Sequence, residues 1–179
     1  MEQMHEPAAS GQGRIALDTE ASNARTTCAA RFAELLRERG LHPALGYLNA
    51  RTRYRFTGLY HADPPLLHNV GLFDRENPGV DPSGAVTKLD ETYCAITCAT
   101  AKPFVTADAL NDTRLDAHAA RDSILCYAGV PVRLGGGRTW GSLCHFDLRP
   151  RLLATEELAV LGTVAPVVAE WLSMRRAVE

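Results

Sequence analysis

Lysine is nearly missing from this chain: 2 residues, against 17 arginines. The skew reads as genome composition rather than a binding surface, because the formal net charge of the 179 residues is only −2. That leaves no broad electrostatic footprint for nucleic acid or an acidic membrane. Cysteine is scarce and unpatterned. The five residues Cys28, Cys94, Cys98, Cys126 and Cys144 form no CxxC pair, and their number is odd. This excludes a disulfide framework and points to a reducing, cytoplasmic compartment. Met1–Gly13 lacks the apolar core of a signal peptide. No apolar run approaches the roughly 20 residues of a bilayer span. The longest, near the C-terminus, is broken by Gly162, Thr163 and Pro166. GxSxG, HExxH and paired-carboxylate spacings are absent, and Gly135–Gly137 lacks the Lys-Ser/Thr of a phosphate loop. No catalytic residue is assigned.

What is present is ordinary globular usage, with 46% hydrophobic and 22% charged residues. A chain of this length buries roughly 70% of its unfolded surface, enough for a core without staples. Residues 1–20 carry Pro7, Ser10, Gly11 and Gly13 and few anchors, and read as a mobile arm. Residues 21–179 read as one domain. Cys28, Phe32, Leu35 and Leu36 recur at helical spacing and predict a helix over 23–39, stopped by Gly40. Leu45–Ala50, Tyr54–Tyr60 and Leu66–Phe73 read as three strands of an antiparallel meander. Asn77–Lys88, rich in Pro and Gly, reads as a loop. Thr92–Thr100 is helix-compatible and Phe104–Thr106 a brief extended piece. Asp108, Asn111 and Asp112 favour tight turns or a single helical turn. Ser123–Leu134 and Arg138–Leu148 form the arms of a hairpin around Gly135–Gly137. Pro131 marks a bulge or an unpaired edge in the first arm. Thr155 caps a last helix bearing two apolar stripes: Leu158, Leu161, Ala165, Val168 and Leu172, and beside it Val160, Val164, Val167 and Trp171. The order of elements is that of an α+β protein.

Cys94 and Cys98 share one face of a helix, and Cys126 and Cys144 sit on the two hairpin arms. A four-thiolate zinc site would need closely spaced pairs in turns, so these cysteines read as core packing and no metal is assigned. His145 alternates with Gly141, Leu143 and Asp147, opposite Trp140, Ser142, Cys144 and Phe146. It is a satisfied core group or a pocket group. His118 lies in a polar loop beside Asp116 and Asp122.

Three stretches together carry a resemblance. They are Leu48–Tyr60 (LNARTRYRFTGLY); Tyr93 and Cys94 followed by Lys102, Pro103, Phe104, Val105 and Asp108; and Tyr127–Val132 (YAGVPV) followed by Gly141–Cys144 (GSLC) and Asp147. Over residues 24–174 the chain resembles the GAF domain family. The resemblance implies a six-stranded antiparallel sheet, with the N- and C-terminal helices on one face. Short helices and loops on the other face would enclose a small-molecule cavity. It implies a sensory role exerted through a separate signalling protein. It also implies a homodimer through the terminal helices, burying Val160, Val164, Val167 and Trp171.

Residues expected to line the cavity are Tyr93, Thr97, Phe104, Asp108, His118, Tyr127 and His145. The ligand, and any cofactor, is unknown. Haem through His118 or His145 and a bilin on Cys144 are weakly suggested by residue type alone. Two alternatives stand beside a sensor. One is a purely structural domain whose cavity is filled by its own side chains. The other is a thiol-dependent reductase using Cys94 or Cys98, of the free methionine-(R)-sulfoxide reductase branch. Against the reductase, Arg121 occupies the place in His118-Ala-Ala-Arg121-Asp122 where that branch carries its nucleophilic cysteine.

Overall fold

A computed structural model describes residues 11–152 and 154–176. Six strands form one antiparallel sheet: β1 (Phe56–Asp63), β2 (Leu66–Asp74), β3 (Val86–Lys88), β4 (Phe104–Thr106), β5 (Cys126–Arg133) and β6 (Thr139–Asp147). Their order is β3-β2-β1-β6-β5-β4, so β6 and β1 are central. The helices are α1 (Gly11–Arg39), α2 (Leu41–Ala50), α3 (Tyr93–Thr100) and α4 (Thr155–Arg176). This is the α+β fold the resemblance implies.

Three boundaries differ from the sequence reading. Leu45–Ala50 is not a strand; it is the second half of α2. The reason is legible in hindsight. Leu41, Ala44, Leu45 and Leu48 recur at i, i+3, i+4 and i+7, the period of a helix face. Pro43 falls in the first turn, where a missing N–H costs nothing. Ala44, Leu45, Leu48 and Asn49 are the buried residues. The loop expected over Asn77–Lys88 ends in β3, which pairs with Leu66–His68 of β2. Of the arm expected over residues 1–20, residues 1–10 lie outside the described residues, and residues 11–20 belong to α1. The hairpin is as expected: β5 and β6 pair from Cys126↔Asp147 to Val132↔Gly141. Pro131 pairs with Ser142, and β4 stops at Gly129, so the far side of Pro131 is an open edge.

Each sheet face carries its own core, because successive side chains of a strand point to opposite faces. On one face α1, α2 and α4 bring Phe32, Leu36, Leu45, Leu48, Leu161, Val164 and Val168 onto Leu59, Val130, Val132 and Leu143. On the other, α3 and residues 107–125 bring Tyr93, Cys94, Ala109, Leu115 and Ala120 onto Leu67, Tyr127 and Cys144. Both apolar stripes of α4 contribute to the first core. Val160 and Val164, expected at a dimer interface, are 1% and 0% exposed within the single chain. Only Val167 and Trp171 of that set stay partly exposed. By length and composition alone Thr155–Arg175 is long and apolar enough for a membrane span, although no apolar run of that length was expected and Gly162, Thr163 and Pro166 interrupt it. Here its apolar stripes pack on α1 and β5.

The β1 end is locked by charge. Arg55 donates two 2.8 Å bonds to the Asp74 carboxylate. The Arg55 backbone N–H donates at 2.9 Å to Asp147, which is also bonded by Arg151. Removing a fully buried leucine leaves a cavity as well as losing transfer free energy. Leu45→Ala and Leu48→Ala should each cost about 2–5 kcal/mol in urea denaturation. Leu152→Ala, at 90% exposure, should stay within about 0.5 kcal/mol of wild type. A small effect at both Leu45 and Leu48 would contradict the burial of this face of α2.

Candidate functional site

The face of the sheet opposite α1 and α4 holds a cavity of about 210 Å³. Its floor follows from a row of small residues. Gly58, Cys144 and Gly129 are cross-strand neighbours on β1, β6 and β5. The Tyr60 and Tyr127 rings lie over the two glycines. A Cβ on Gly58 would meet Tyr60 Cε2 at 2.5 Å, and one on Gly129 would meet Tyr127 Oη at 2.1 Å. Bulkier residues there would lift both rings into the void. Phe146 follows Cys144 on the same face of β6, and its ring lies 6.5 Å from that of Tyr60. From above, α3 contributes Tyr93 and Cys94, while Ala120, Ser123 and Ile124 form the roof and Leu67 and Thr87 one wall.

The polar groups inside are hydroxyls and thiols. Thr97 Oγ1 and Tyr127 Oη are 3.2 Å apart, and Tyr127 Oη donates to Cys94 Sγ at 3.6 Å. Tyr93 Oη donates to the Ile124 carbonyl at 3.1 Å, tying α3 to the roof. The Cys144 thiol, followed by the hydroxyls of Ser142, Tyr127 and Thr92, holds Cys94 below the ordinary thiol pKa against the opposing effect of burial. Burial pushes Cys144, Tyr60 and Tyr127 well above their ordinary values. Cys98, away from the cavity, is pushed up to about 12, again by burial. Cys94 is therefore the one cavity thiol biased towards its nucleophilic form.

The expected lining residues divide three ways. Tyr93 and Tyr127 line the cavity. Thr97, Phe104 and His118 stand behind them. Thr97 bonds Tyr127. Phe104 packs at 6.1 and 6.2 Å from the Tyr93 and Tyr127 rings. His118 packs at 4.7 Å from Tyr93 and accepts the Ala120 N–H on Nδ1. Asp108 and His145 lie elsewhere. Asp108 caps the turn after β4, accepting from Leu110 N and Asn111 Nδ2. His145 faces the opposite side of the sheet, as the alternation of β6 requires once Cys144 and Phe146 face the cavity. There Asn49 Nδ2 donates to Thr57 Oγ1 at 2.9 Å, and Thr57 Oγ1 lies 2.7 Å from His145 Nδ1. With its hydroxyl accepting from Asn49, Thr57 donates to Nδ1, and the ring proton of the neutral imidazole sits on Nε2. Arg75 closes the network onto Asn49 Oδ1 at 3.0 Å.

Neither histidine fits a haem ligand in this cavity, since one stands behind Tyr93 and the other faces away. Cys144, beneath the rings in a central strand, does not fit an exposed bilin attachment point. Among the described residues no group of three or more His, Cys, Asp or Glu could hold a metal. Among the lining residues that sequence reasoning missed are Tyr60, Phe146, Leu67, Ile124 and Glu91. The signal for the first two was parity: Phe56, Gly58 and Tyr60 alternate in register with Phe146, Cys144 and Ser142.

The architecture is a six-stranded antiparallel sheet with helices on one face and a cavity on the other. The sequence matches the GAF domain pattern over residues 16–170, and the chain belongs to the GAF domain family. It is similar in structure to the GAF domain of a phosphoenolpyruvate-protein phosphotransferase from Acinetobacter (TM-score 0.68, 13% identity, covering 87% of this chain and 96% of that one). The corresponding domain from Coxiella burnetii gives a TM-score of 0.66 at 17% identity, covering 88% and 96%. A free methionine-R-sulfoxide reductase from Neisseria meningitidis, solved with its substrate, gives 0.68 at 14% identity, covering 100% of both chains. No curated protein sequence matches significantly. At these identities the likeness is one of fold.

The buried His145 network has a pH signature. Burial, followed by repulsion from Arg51 and Arg75, lowers the His145 pKa from 6.5 to about 3. The unfolded imidazole takes up a proton below about pH 6.5; the folded one declines it until about pH 3. Stability is thus complete above pH 6.5 and is lost as the pH falls, at a slope approaching about 1.4 kcal/mol per pH unit. Asp74 and Asp112, held at about 2 chiefly by hydrogen bonds from Arg55 and Arg114, act only below their ordinary value of 3.8. Urea denaturation between pH 6.5 and 4.5 should therefore show this slope in wild type. His145→Gln should flatten it by about 1 kcal/mol per pH unit. Equal slopes in the two proteins would assign the dependence to another group.

Proposed function

We propose that this chain is a cytoplasmic regulatory domain that binds a small molecule in the cavity between its sheet and α3. The observation that carries the reading is the void itself. Gly58 and Gly129 let two tyrosine rings lie flat on the sheet, leaving about 210 Å³ between aromatic walls. A domain serving only as a structural spacer gains nothing from a cleft left open between buried aromatic side chains, since the cleft forfeits packing contacts. The volume lies below the 300–1,000 Å³ of drug-sized sites, which favours a compact ligand.

The reading is tested by releasing small molecules from purified protein by denaturation, and by screening metabolites for a rise in melting temperature. A ligand should stabilise wild type, and Ile124→Trp, which fills the roof of the cavity, should abolish the shift while leaving the fold intact. Tyr127→Phe, which removes one hydroxyl, should weaken it. Absence of any co-purifying or stabilising molecule, or equal shifts in wild type and Ile124→Trp, refutes the assignment.

A second reading is favoured by one observation: Cys94 and Cys144 both line the cavity, and Cys94 is biased towards thiolate. Similar folds include free methionine-R-sulfoxide reductases. Arg121, in the loop where the resemblance places that branch's nucleophile, cannot attack a sulfoxide. On this second reading, free methionine-(R)-sulfoxide is reduced with dithiothreitol, and Cys94→Ser removes the turnover. No turnover in wild type eliminates it.

A further inference from the structure

Four aromatic rings line the cavity: Tyr60, Tyr93, Tyr127 and Phe146. Tyr93 and Tyr127 meet edge-to-face at 5.7 Å, and Tyr60 and Phe146 are tilted at 6.5 Å. The face of each ring carries the negative part of its quadrupole. A ring that turns a face to the cavity therefore lends it negative potential without a formal charge. The lining contains no Lys, Arg or His. Its single charged residue is Glu91, an exposed side chain bonded at 2.9 Å by Lys88 outside the lining.

This charge distribution sorts ligands. A phosphate or carboxylate would be stripped of water with no cation to receive it, the costly case of an unpaired buried charge. A primary ammonium is strongly hydrated and brings three N–H donors, so acceptors must converge on it from several sides. Tyr93 Oη and Tyr127 Oη are each oriented by the bond they donate, to the Ile124 carbonyl and to Cys94 Sγ. A nitrogen whose hydrogens are replaced by methyl groups has no donors to satisfy. Its spread positive charge is matched to aromatic faces.

We infer that the cavity takes a compact N-methylated organic cation, held by its aromatic walls with Glu91 as the acidic group at its edge. The inference rests on the cavity being the binding site proposed above. Calorimetry on the full chain would compare tetramethylammonium chloride and choline chloride with dimethylbutanol, in which a neutral carbon replaces choline's nitrogen. Sodium phosphate and sodium acetate serve as anionic probes. Choline should bind at least tenfold more tightly than dimethylbutanol, and neither anion should bind. Glu91→Gln, an exposed change that leaves the fold intact, should weaken choline about threefold and leave dimethylbutanol unchanged.

Equal affinity for choline and dimethylbutanol, or binding of an anionic probe, would overturn the cation assignment and leave the cavity as a binding site. Failure of every probe, together with a ligand found in the metabolite screen, would overturn it likewise. Failure of both the probes and the screen would remove the binding reading as well.

Discussion

Most of this molecule depends on the alternation of side chains along β6. Because it is a central strand, both of its faces are covered, and consecutive residues are committed to different tasks. Leu143 and His145 belong to the helix-covered face; Cys144 and Phe146 belong to the cavity. A slip of one residue would put an imidazole among aromatic rings and a thiol into the Asn49–Thr57 network. The register is fixed from both sides. Gly141 admits the Tyr60 carbonyl, which a Cβ at that position would meet at 1.9 Å. Asp147, at the far end, holds the Arg55 backbone and the Arg151 side chain.

The two faces are built differently. The helix face is filled mainly by leucine, valine and alanine around Phe32 and Trp140, with Tyr47, Phe73 and Trp171 packed against them. Each fully buried leucine or valine contributes about 1.5–3 kcal/mol by burial. The cavity face is built from rings and sulfur around a void. Its rings are held both by hydrogen bonds, Tyr127 to Thr97 and Tyr93 to the Ile124 carbonyl, and by the Phe104 and His118 rings behind them.

Much of the fold was legible because its signals are local. The glycine turn between β5 and β6, the short β4 bracketed by Pro103 and Asp108, and the capped, two-striped α4 each announce themselves within a few residues. The misreading of Leu45–Ala50 shows the limit. A short apolar run between a glycine and an arginine-rich turn suits a strand as well as a helix, and only the wider window from Leu41 reveals the helical period. The site was half legible. Tyr93 and Tyr127 stood out as aromatics at the right end of their elements. His145 was drawn in by its chemistry, although its own parity with Leu143 and Asp147, opposite Cys144 and Phe146, had already placed it on the other face. Tyr60 and Phe146 went unread because an aromatic in a strand is ordinary. Their role depends on Gly58 and on a cross-strand register that no single segment carries.

The same division explains how a chain only 13–17% identical to other GAF domains can share their fold at TM-scores of 0.66–0.68. What fixes the fold is distributed: a burial pattern over six strands and the helices that cover them, which many apolar residues can satisfy. What the cavity can hold depends on a few side chains around it, where a single added cation would dominate the local charge. Arg121 illustrates the scale. In the loop beside Tyr93 it bonds the Leu110 carbonyl and lies outside the cavity lining, so the interior keeps aromatic walls and no positive charge. Family membership therefore says less about what this cavity can hold than the residues of its own lining do.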